Sequence, residues 1–347
     1  MSRRAASGWR GALAVASLAV VTLAVAACGG DPSGTTGPTA GARLQLTVSG
    51  LVALDAVTQG RYEAWSLDAS GGATSLGTLA VSGTQAATLD VAFPSSTPSS
   101  ILVTVQAPGD AATTPSVHRL LTDDFRNDRA TLEVDDALTL GGLALKQLPG
   151  QFTMFSPSDN YKNGYPSFEE CGVWLFNMAP RLTPQNDMWV RLTPLTSGWT
   201  YEGWMVRDYG AADAIWLSYG KFVPDASGAV TTRDDTGWGA YSGVMDFKTA
   251  GEEEFPGDDW FANPLGFPLP SSLHLPLDLR EKTSSGASRW THVLTIEPMS
   301  DKGEAIGSER PFAVRPYRDA FGDGAPGIAR TITFRPDGVP RGEAVRR

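Results

Sequence analysis

Apolar residues recur at every second position in many short segments of the chain. Leu44, Leu46 and Val48 alternate with polar residues. The same alternation occurs in residues 101–105, 132–134, 190–192, 294–296 and 332–334. A period of two places successive side chains on opposite faces of a strand, so one face is buried. The 38 glycines and 24 prolines supply turns between such strands. The pattern therefore predicts an all-β fold.

Residues 1–27 differ from the rest and predict an export signal. Three arginines precede an uncharged apolar segment at residues 11–27, and small residues lead directly to Cys28. A positive start, an apolar middle and a small-residue cleavage site are the parts of a signal peptide. With a cysteine at the cleavage point, the segment resembles a lipobox, which implies lipidation of Cys28 by acyl chains such as palmitate. The alternative is a short transmembrane anchor.

Residues 28–41 predict a flexible, lipidated tether, because Gly, Ser, Thr and Pro dominate them. We expect the protein in the cell envelope, lipid-anchored on the extracytoplasmic side. Gly29 follows the lipidated cysteine in place of an inner-membrane retention aspartate. In a Gram-negative host we therefore expect the outer membrane.

The chain is acidic, and this narrows the expected partners. Because three of the 28 Lys and Arg residues lie in the signal peptide, 25 remain against 38 Asp and Glu, a net charge of −13. Nucleic-acid binding requires a basic face, and anionic lipid attracts basic segments. We therefore expect no nucleic-acid partner, membrane contact through the N-terminal lipid only, and an unidentified protein or glycan ligand.

Three motifs occur twice in the same order. The first motif reads Tyr-Glu-x-Trp in both copies: Tyr62, Glu63 and Trp65, and Tyr201, Glu202 and Trp204. A Gly-containing segment follows at residues 76–79 and 219–222, and a Thr-centred segment ending at proline follows at 101–108 and 292–298. An ordered trio of repeated motifs predicts two copies of one β unit.

The trio resembles the extracytoplasmic C-terminal β-domain of the anti-sigma-K factor family, whose strands read Tyr-x-x-Trp, Gly-x-Phe and Val-Thr-x-Glu-Pro. Residues 172–176 and 256–261 are also similar to motifs of uncharacterised bacterial surface proteins, so we expect an uncharacterised lipoprotein family. The resemblance implies two tandem β-sandwich domains. Their predicted limits are residues 42–147 and 148–336, with a C-terminal tail at 337–347. A shared fold does not imply sigma-factor control, and we expect no sigma-factor partner.

The Tyr-Glu-x-Trp segments are the most informative local feature. On a strand, Glu63 and Trp65 share one face and Tyr62 takes the other. Aromatic residues on both faces predict a central strand whose tryptophan lies in a core. The alternative is a ligand site beneath the tryptophan.

Acidic residues cluster at Glu252, Glu253, Glu254, Asp258 and Asp259. Runs of charge are usually exposed, so we interpret the cluster as a solvated loop, with weak Ca²⁺ binding as an alternative. The carboxylates from Glu254 to Asp259 also suggest a second function, a carbohydrate-active hydrolase.

The segment at residues 252–279 is long, irregular and rich in proline and aromatic residues. We favour the interpretation that its rings, which include Trp260 and Phe261, close one end of the second sandwich. The alternative is an exposed interaction patch.

Motifs for nucleophilic catalysis, phosphate binding and dinucleotide binding are lacking in the sequence. His118, His274, His292 and Cys171 are too scattered to form a zinc site, and we interpret Cys171 as a buried apolar residue. We therefore expect no enzyme activity, no cofactor and no metal. The favoured function is a surface-tethered module that binds a ligand or supports the envelope.

Overall fold

The computed structural model describes residues 43–92, 98–111, 113–134, 145, 151–156, 169–175, 190–224, 226, 228–230, 256–262, 269–299 and 311–347. These residues form β-strands and short 3-10 turns, with no α-helix among them, which confirms the all-β prediction. The predicted signal peptide, Cys28, the tether and the boundary between residues 147 and 148 lie outside the described residues. Ala40–Arg347 form one compact unit.

The strands are numbered β1 to β18 in chain order. Those of the first half are β1 (Arg43–Ser49), β2 (Arg61–Leu67), β3 (Ala73–Thr78), β4 (Ala86–Ala92), β5 (Ser100–Gln106), β6 (Arg119–Asp124) and β7 (Arg129–Glu133). Those that follow are β8 (Gln151–Met154), β9 (Gly172–Trp174), β10 (Val190–Arg191), β11 (Trp199–Arg207), β12 (Ile215–Phe222), β13 (Ala229–Val230), β14 (Gly257–Asp259), β15 (Trp290–Pro298), β16 (Val314–Ala320), β17 (Arg330–Thr331) and β18 (Arg341–Arg346).

The first sheet has eight antiparallel strands in the order β3-β2-β5-β6-β7-β18-β1-β4. β6 and β7 share only the pair Thr122 and Glu133. The edge strands β3 and β4 approach each other, since a Cβ at Gly77 of β3 would lie 3.9 Å from the Leu89 side chain of β4. Leu44, Leu46 and Val48 are buried, as their alternation predicts.

The C-terminal segment is a strand of this first sheet, so the predicted tail at residues 337–347 is wrong. β18 lies between β7 and β1 and pairs with both. Ala344, opposite Leu46, is fully buried. Residues 42–147 therefore do not contain the whole first sheet. The division into two independent domains stays a prediction.

Two four-stranded sheets form the second half, in the orders β12-β11-β15-β16 and β14-β9-β8-β17. They pack face to face. His292 of β15 lies against Phe152 of β8, with ring centroids 4.3 Å apart, and Phe321 packs edge-on against Phe152 at 5.5 Å. The short strands β10 and β13 form a separate pair.

The sequence repeat corresponds to a structural repeat. β3-β2-β5-β6 in the first sheet and β12-β11-β15-β16 in the second have the same strand order. The Tyr-Glu-x-Trp strand carries a β-bulge directly before its tryptophan in both copies, at Ala64/Trp65 and at Gly203/Trp204. Gly77 and Gly220, on the strands opposite, both adopt positive φ, at 120° and 114°.

One continuous hydrophobic core extends through both halves of the unit. Phe312 illustrates this continuity, because its ring centroid lies 6.1 Å from that of Tyr62 and 6.0 Å from that of Trp199. A separate small cluster on the other face of β11 contains Trp204.

Candidate functional site

The repeated tryptophans are buried, as the core interpretation predicts. Trp65 and Trp204 are 1% and 2% exposed. The Trp65 indole donates a hydrogen bond of 2.9 Å to the Thr104 hydroxyl, and the Trp204 indole donates one of 2.9 Å to the Thr295 hydroxyl. Because the same bond recurs in both copies, it belongs to the scaffold of the repeated unit.

The glutamates of the two motifs are also held within the protein. Glu63 accepts hydrogen bonds from Ser75 at 2.5 Å and from Thr78 at 3.0 Å. Glu202 is fully buried and accepts a hydrogen bond from Ser218 at 2.7 Å. Burial raises the pKa of Glu202 well above its usual value, against the opposing effect of the Lys221 ammonium, whose nitrogen is 3.9 Å away.

The second copy contains a further buried acid that the sequence analysis did not single out. Glu297 accepts hydrogen bonds from the Thr295 hydroxyl at 2.5 Å and from the Phe312 amide at 2.9 Å. Burial raises its pKa to about 7. In the first copy Gln106 ends the corresponding strand and is also fully buried. The exchange of Gln for Glu between copies was the available sequence signal.

The tyrosines of the motifs lie on the opposite face, inside the main core. Tyr201 donates a hydrogen bond of 3.0 Å to the Thr193 carbonyl. Burial raises the pKa of both Tyr62 and Tyr201 above the usual range. His292 is buried against Tyr219, with 2.8 Å between its Nε2 and the phenol oxygen. Burial lowers the pKa of His292 to about 3, so it is neutral at pH 7.

The predicted acidic loop has a different structure where it is described. Asp258 and Asp259 belong to β14, pair with β9 and are 0% and 1% exposed, so the interpretation of these two residues as solvated is wrong. Their Oδ1 atoms accept backbone hydrogen bonds, Asp258 from Asp259 at 2.7 Å and Asp259 from Phe261 at 3.3 Å. Glu252, Glu253 and Glu254 lie outside the described residues.

The predictions for Trp260 and Cys171 also concern burial. Trp260 is fully buried in the main core, so its ring is not part of an exposed patch. Closure of one end of the second sandwich by residues 252–279 stays a prediction. Cys171 is a buried free thiol, as interpreted, and burial raises its pKa to about 12. Among the described residues, no three or more His, Cys, Asp or Glu side chains are placed to hold a metal ion.

The candidate site is a cleft of about 270 Å³. Its walls come from the turn between β11 and β12, the first residues of β16, the segment after β1 and the 3-10 turn at Pro336–Gly338. Tyr209, Trp216 and Arg315 supply its large side chains, and Gly50 and Gly210 expose main chain to it. We call it the aromatic cleft.

A guanidinium lies over each of the two aromatic rings of the aromatic cleft. The guanidinium of Arg315 lies 4.7 Å from the Trp216 ring centroid, and that of Arg318 lies 5.2 Å from the Tyr209 ring centroid. The two rings are 5.7 Å apart. Trp204 packs edge-on against Trp216 at 5.7 Å and so supports this ring from the interior.

The turn between β11 and β12 is held in place by ion pairs. Arg289 binds both carboxylate oxygens of Asp208, and Arg207 and Arg289 both bind Glu281. The hydrogen bonds from Arg289 lower the pKa of Asp208. Asp208 and Gly210 adopt positive φ, at 57° and 90°. These pairs present Tyr209 to the cleft on a fixed turn.

The sequence analysis did not predict the aromatic cleft. Trp216 occupies the position that Ala73 has in the first copy, judged by its pairing with Val206, the counterpart of Leu67. An added aromatic residue in only one copy of a repeat was the available signal. Arg315 and Gly50 come from distant parts of the chain, and no local pattern connects them.

In the part of the chain that the structure describes, no helix is long and apolar enough to cross a membrane. Comparisons with protein-family models, curated proteins and solved structures find no match to this chain.

Proposed function

We propose that this protein is a non-catalytic, lipid-anchored binding protein of the cell envelope whose ligand occupies the aromatic cleft. The observation that supports the proposal is the cleft itself, where two part-exposed aromatic rings and a guanidinium meet around about 270 Å³. A concave surface with aromatic walls and a few placed polar groups is the usual form of a ligand site.

The proposal assigns separate tasks to the scaffold and the anchor. Acyl chains on Cys28 hold the protein to the membrane, residues 28–41 act as a spacer, and the compact unit faces the extracytoplasmic side. Several acyl chains together give stable anchoring, whereas one chain binds only marginally. The acidic chain makes no other contact with lipid or nucleic acid. In a host with two membranes, the outer membrane is the proposed location.

A binding role is favoured over the hydrolase alternative by the placement of the acidic residues. Glycoside hydrolysis needs two carboxyl groups that flank the scissile bond. Asp258 and Asp259, at the centre of that alternative, are buried in β14 and accept backbone hydrogen bonds. Neither lines the aromatic cleft. We therefore propose that these aspartates stabilise β14.

Filling the aromatic cleft tests the binding role. Ala211 is exposed and lines the cleft, whereas its neighbour Ala212 is exposed and does not line it. The purified full chain and the variants Ala211→Trp and Ala212→Trp are incubated with an envelope extract of the source organism, and bound components are measured by mass spectrometry. We expect Ala211→Trp alone to lose a component that the other two retain. Equal retention by all three would refute the cleft as the site.

Fatty-acid labelling tests the anchor. The full chain is expressed in a bacterial host with an alkyne fatty acid and compared with Cys28→Ser and Cys171→Ser. We expect label on the wild type and on Cys171→Ser but not on Cys28→Ser, because only Cys28 follows the signal. Label that persists on Cys28→Ser would contradict the proposed anchor.

A further inference from the structure

We propose that the aromatic cleft takes a single acidic sugar unit, with the anionic group on Arg315 and the sugar ring against Trp216 and Tyr209. This inference rests on the proposed binding function and adds the chemical class of the ligand. The carboxylate of a uronic acid and the phosphate of a sugar phosphate share the chemistry that the site would recognise.

Arg315 is placed to donate to an anion. Its Nε donates to the Phe312 carbonyl at 2.9 Å, and its Nη2 contacts the Pro311 carbonyl at 3.5 Å. Its Nη1 makes no hydrogen bond to any described residue. Stacking on Trp216 and the bond to Phe312 hold the guanidinium plane in place. A fixed guanidinium binds carboxylate and phosphate oxygens through charge-assisted hydrogen bonds.

The charges around the aromatic cleft favour one negative charge on the ligand. Arg318, whose guanidinium lies over Tyr209, is paired with Asp337, and this carboxylate itself lines the cleft. Asp208, beside Tyr209 in the turn, is paired with Arg289. Arg315 has no carboxylate hydrogen-bonded to it among the described residues. Arg315 also interacts electrostatically with the buried Glu297, so its guanidinium offsets at most one anionic group on the ligand.

The walls of the aromatic cleft suit a sugar ring better than an apolar one. Guanidinium groups cover one face of each ring, and the part-exposed remainder of each ring attracts the polarised C–H groups on a sugar face. Gln85 and Asp337 add polar side chains to the lining, and the main chain at Gly50 and Gly210 is not covered by a side chain, so these groups can bind hydroxyl groups. A volume of about 270 Å³ is near the lower end of ligand pockets, which favours one ring over an oligomer.

The net charge of the protein favours a terminal unit over a long polyanion. The mature chain carries −13, from 25 basic and 38 acidic residues, so its overall field repels an extended acidic polymer. A single terminal unit is repelled less than a polymer, because it brings only one negative charge to the protein.

Ligand-observed NMR titrations of the full chain in detergent micelles test the inference. The probes are D-glucuronate, D-glucose 6-phosphate and D-glucose, which differ in the anionic group. We expect at least one acidic probe to bind roughly ten-fold or more tightly than glucose, since a hydrogen bond to a charged group contributes about that factor. Glucuronate and glucose 6-phosphate separate the carboxylate source from the phosphate source.

Three variants locate the effect. Arg315→Gln keeps a planar donor near the Phe312 carbonyl but removes the charge, and should abolish the preference for acidic probes. Ala211→Trp should abolish all probe binding, and Ala212→Trp should preserve it. Circular dichroism melting checks that each variant is folded. Because Ala211 is exposed, its variant tests the site even where Arg315→Gln is unstable.

The outcomes distinguish this inference from the proposed function. Equal affinity for all three probes, or an acidic preference that survives in Arg315→Gln, would overturn the acidic-sugar inference. If no probe bound but Ala211→Trp still lost an envelope component, the acidic-sugar inference would fail and the proposed function would stand. If neither the probes nor the extract bound in the cleft, both proposals would fail.

Discussion

Alanine substitution of Trp65 and of Trp204 distinguishes a structural role of the repeated tryptophans from a role in ligand binding. The two side chains are equally buried and make the same hydrogen bond. Only Trp204 contacts Trp216 of the aromatic cleft. We expect Trp65→Ala and Trp204→Ala to destabilise the protein by similar amounts, and only Trp204→Ala to impair ligand binding.

The expected magnitude follows from burial and from the lost hydrogen bond. Emptying a large aromatic site in a core costs about 3–5 kcal/mol. Each substitution also leaves a threonine hydroxyl without its indole donor. Thr295 still donates to Glu297 at 2.5 Å. The lost indole bond contributes on the order of 1 kcal/mol in each copy. We therefore expect both variants to lose roughly 3–6 kcal/mol.

The assay is urea denaturation followed by far-ultraviolet circular dichroism, with the unfolding free energy extrapolated to water. Val223→Ala serves as the control, because Val223 is 50% exposed and its loss should change stability by no more than about 0.5 kcal/mol. Ligand binding is then measured at a urea concentration where both variants are folded.

Two results would refute this reasoning. A loss below about 1 kcal/mol in Trp65→Ala would mean that the tryptophan is not a core residue. Loss of cleft binding in Trp65→Ala, with the fold intact, would mean that the contact between Trp204 and Trp216 does not explain the effect.

Three further predictions concern groups away from the cleft. Glu297 has its pKa raised by burial from 4.5 to about 7, so the folded state holds a proton that the unfolded state releases, and stability should fall as pH rises through that interval. Glu297→Gln, the residue type of Gln106, should reduce this dependence in urea denaturation at pH 4.5 to 8, and Glu202, whose pKa is also raised by burial, should account for the remainder. Ala344→Glu should place an unpaired charge in the core and lower the melting temperature strongly. Glu343→Ala, on the exposed face of β18, should change the melting temperature little. Equal shifts in the two variants would contradict the position of β18 within the sheet. The Cys171 thiol, buried and with its pKa raised to about 12, should react with a maleimide only after unfolding, and rapid labelling of the native protein would contradict its burial.

Local patterns predicted strands such as β1, which buries one face, and β2 and β11, which carry buried aromatic residues on both faces. The alternation at Leu44, Leu46 and Val48 is reproduced in the burial of β1. The repeated motifs predicted equivalent strands, and the hydrogen bonds of Trp65 and Trp204 show that equivalence at the level of single atoms. Both inferences need only neighbours in sequence and the period of a strand.

Predictions failed where pairing or burial depends on distant residues. β18 has one fully buried side chain, Ala344, and three charged residues, so its sequence resembles an exposed tail. Its strand conformation comes from β7 and β1 on either side. Asp258 and Asp259 have the composition of a loop, but pairing with β9 buries them.

The aromatic cleft could not be derived from the sequence for a related reason. Trp216 and Arg315 form its wall through a contact between β12 and β16, the two edges of a four-stranded sheet. Gly50 directly follows β1 of the first sheet and lines the same cleft. Only the closed fold brings these three residues to one surface.

The position of β18 has a consequence for the timing of folding. β1 emerges from the ribosome early, but its neighbour β18 ends at Arg346, so pairing of Leu44 with Arg346 must wait for nearly the whole chain. At ~5–20 residues per second that delay is roughly 15–60 s. Until then the first sheet lacks a strand between β7 and β1 and cannot close. Under the proposed export, this order is an advantage, because a translocation channel accepts an extended polypeptide and a sheet that closes last leaves the chain unfolded for longer.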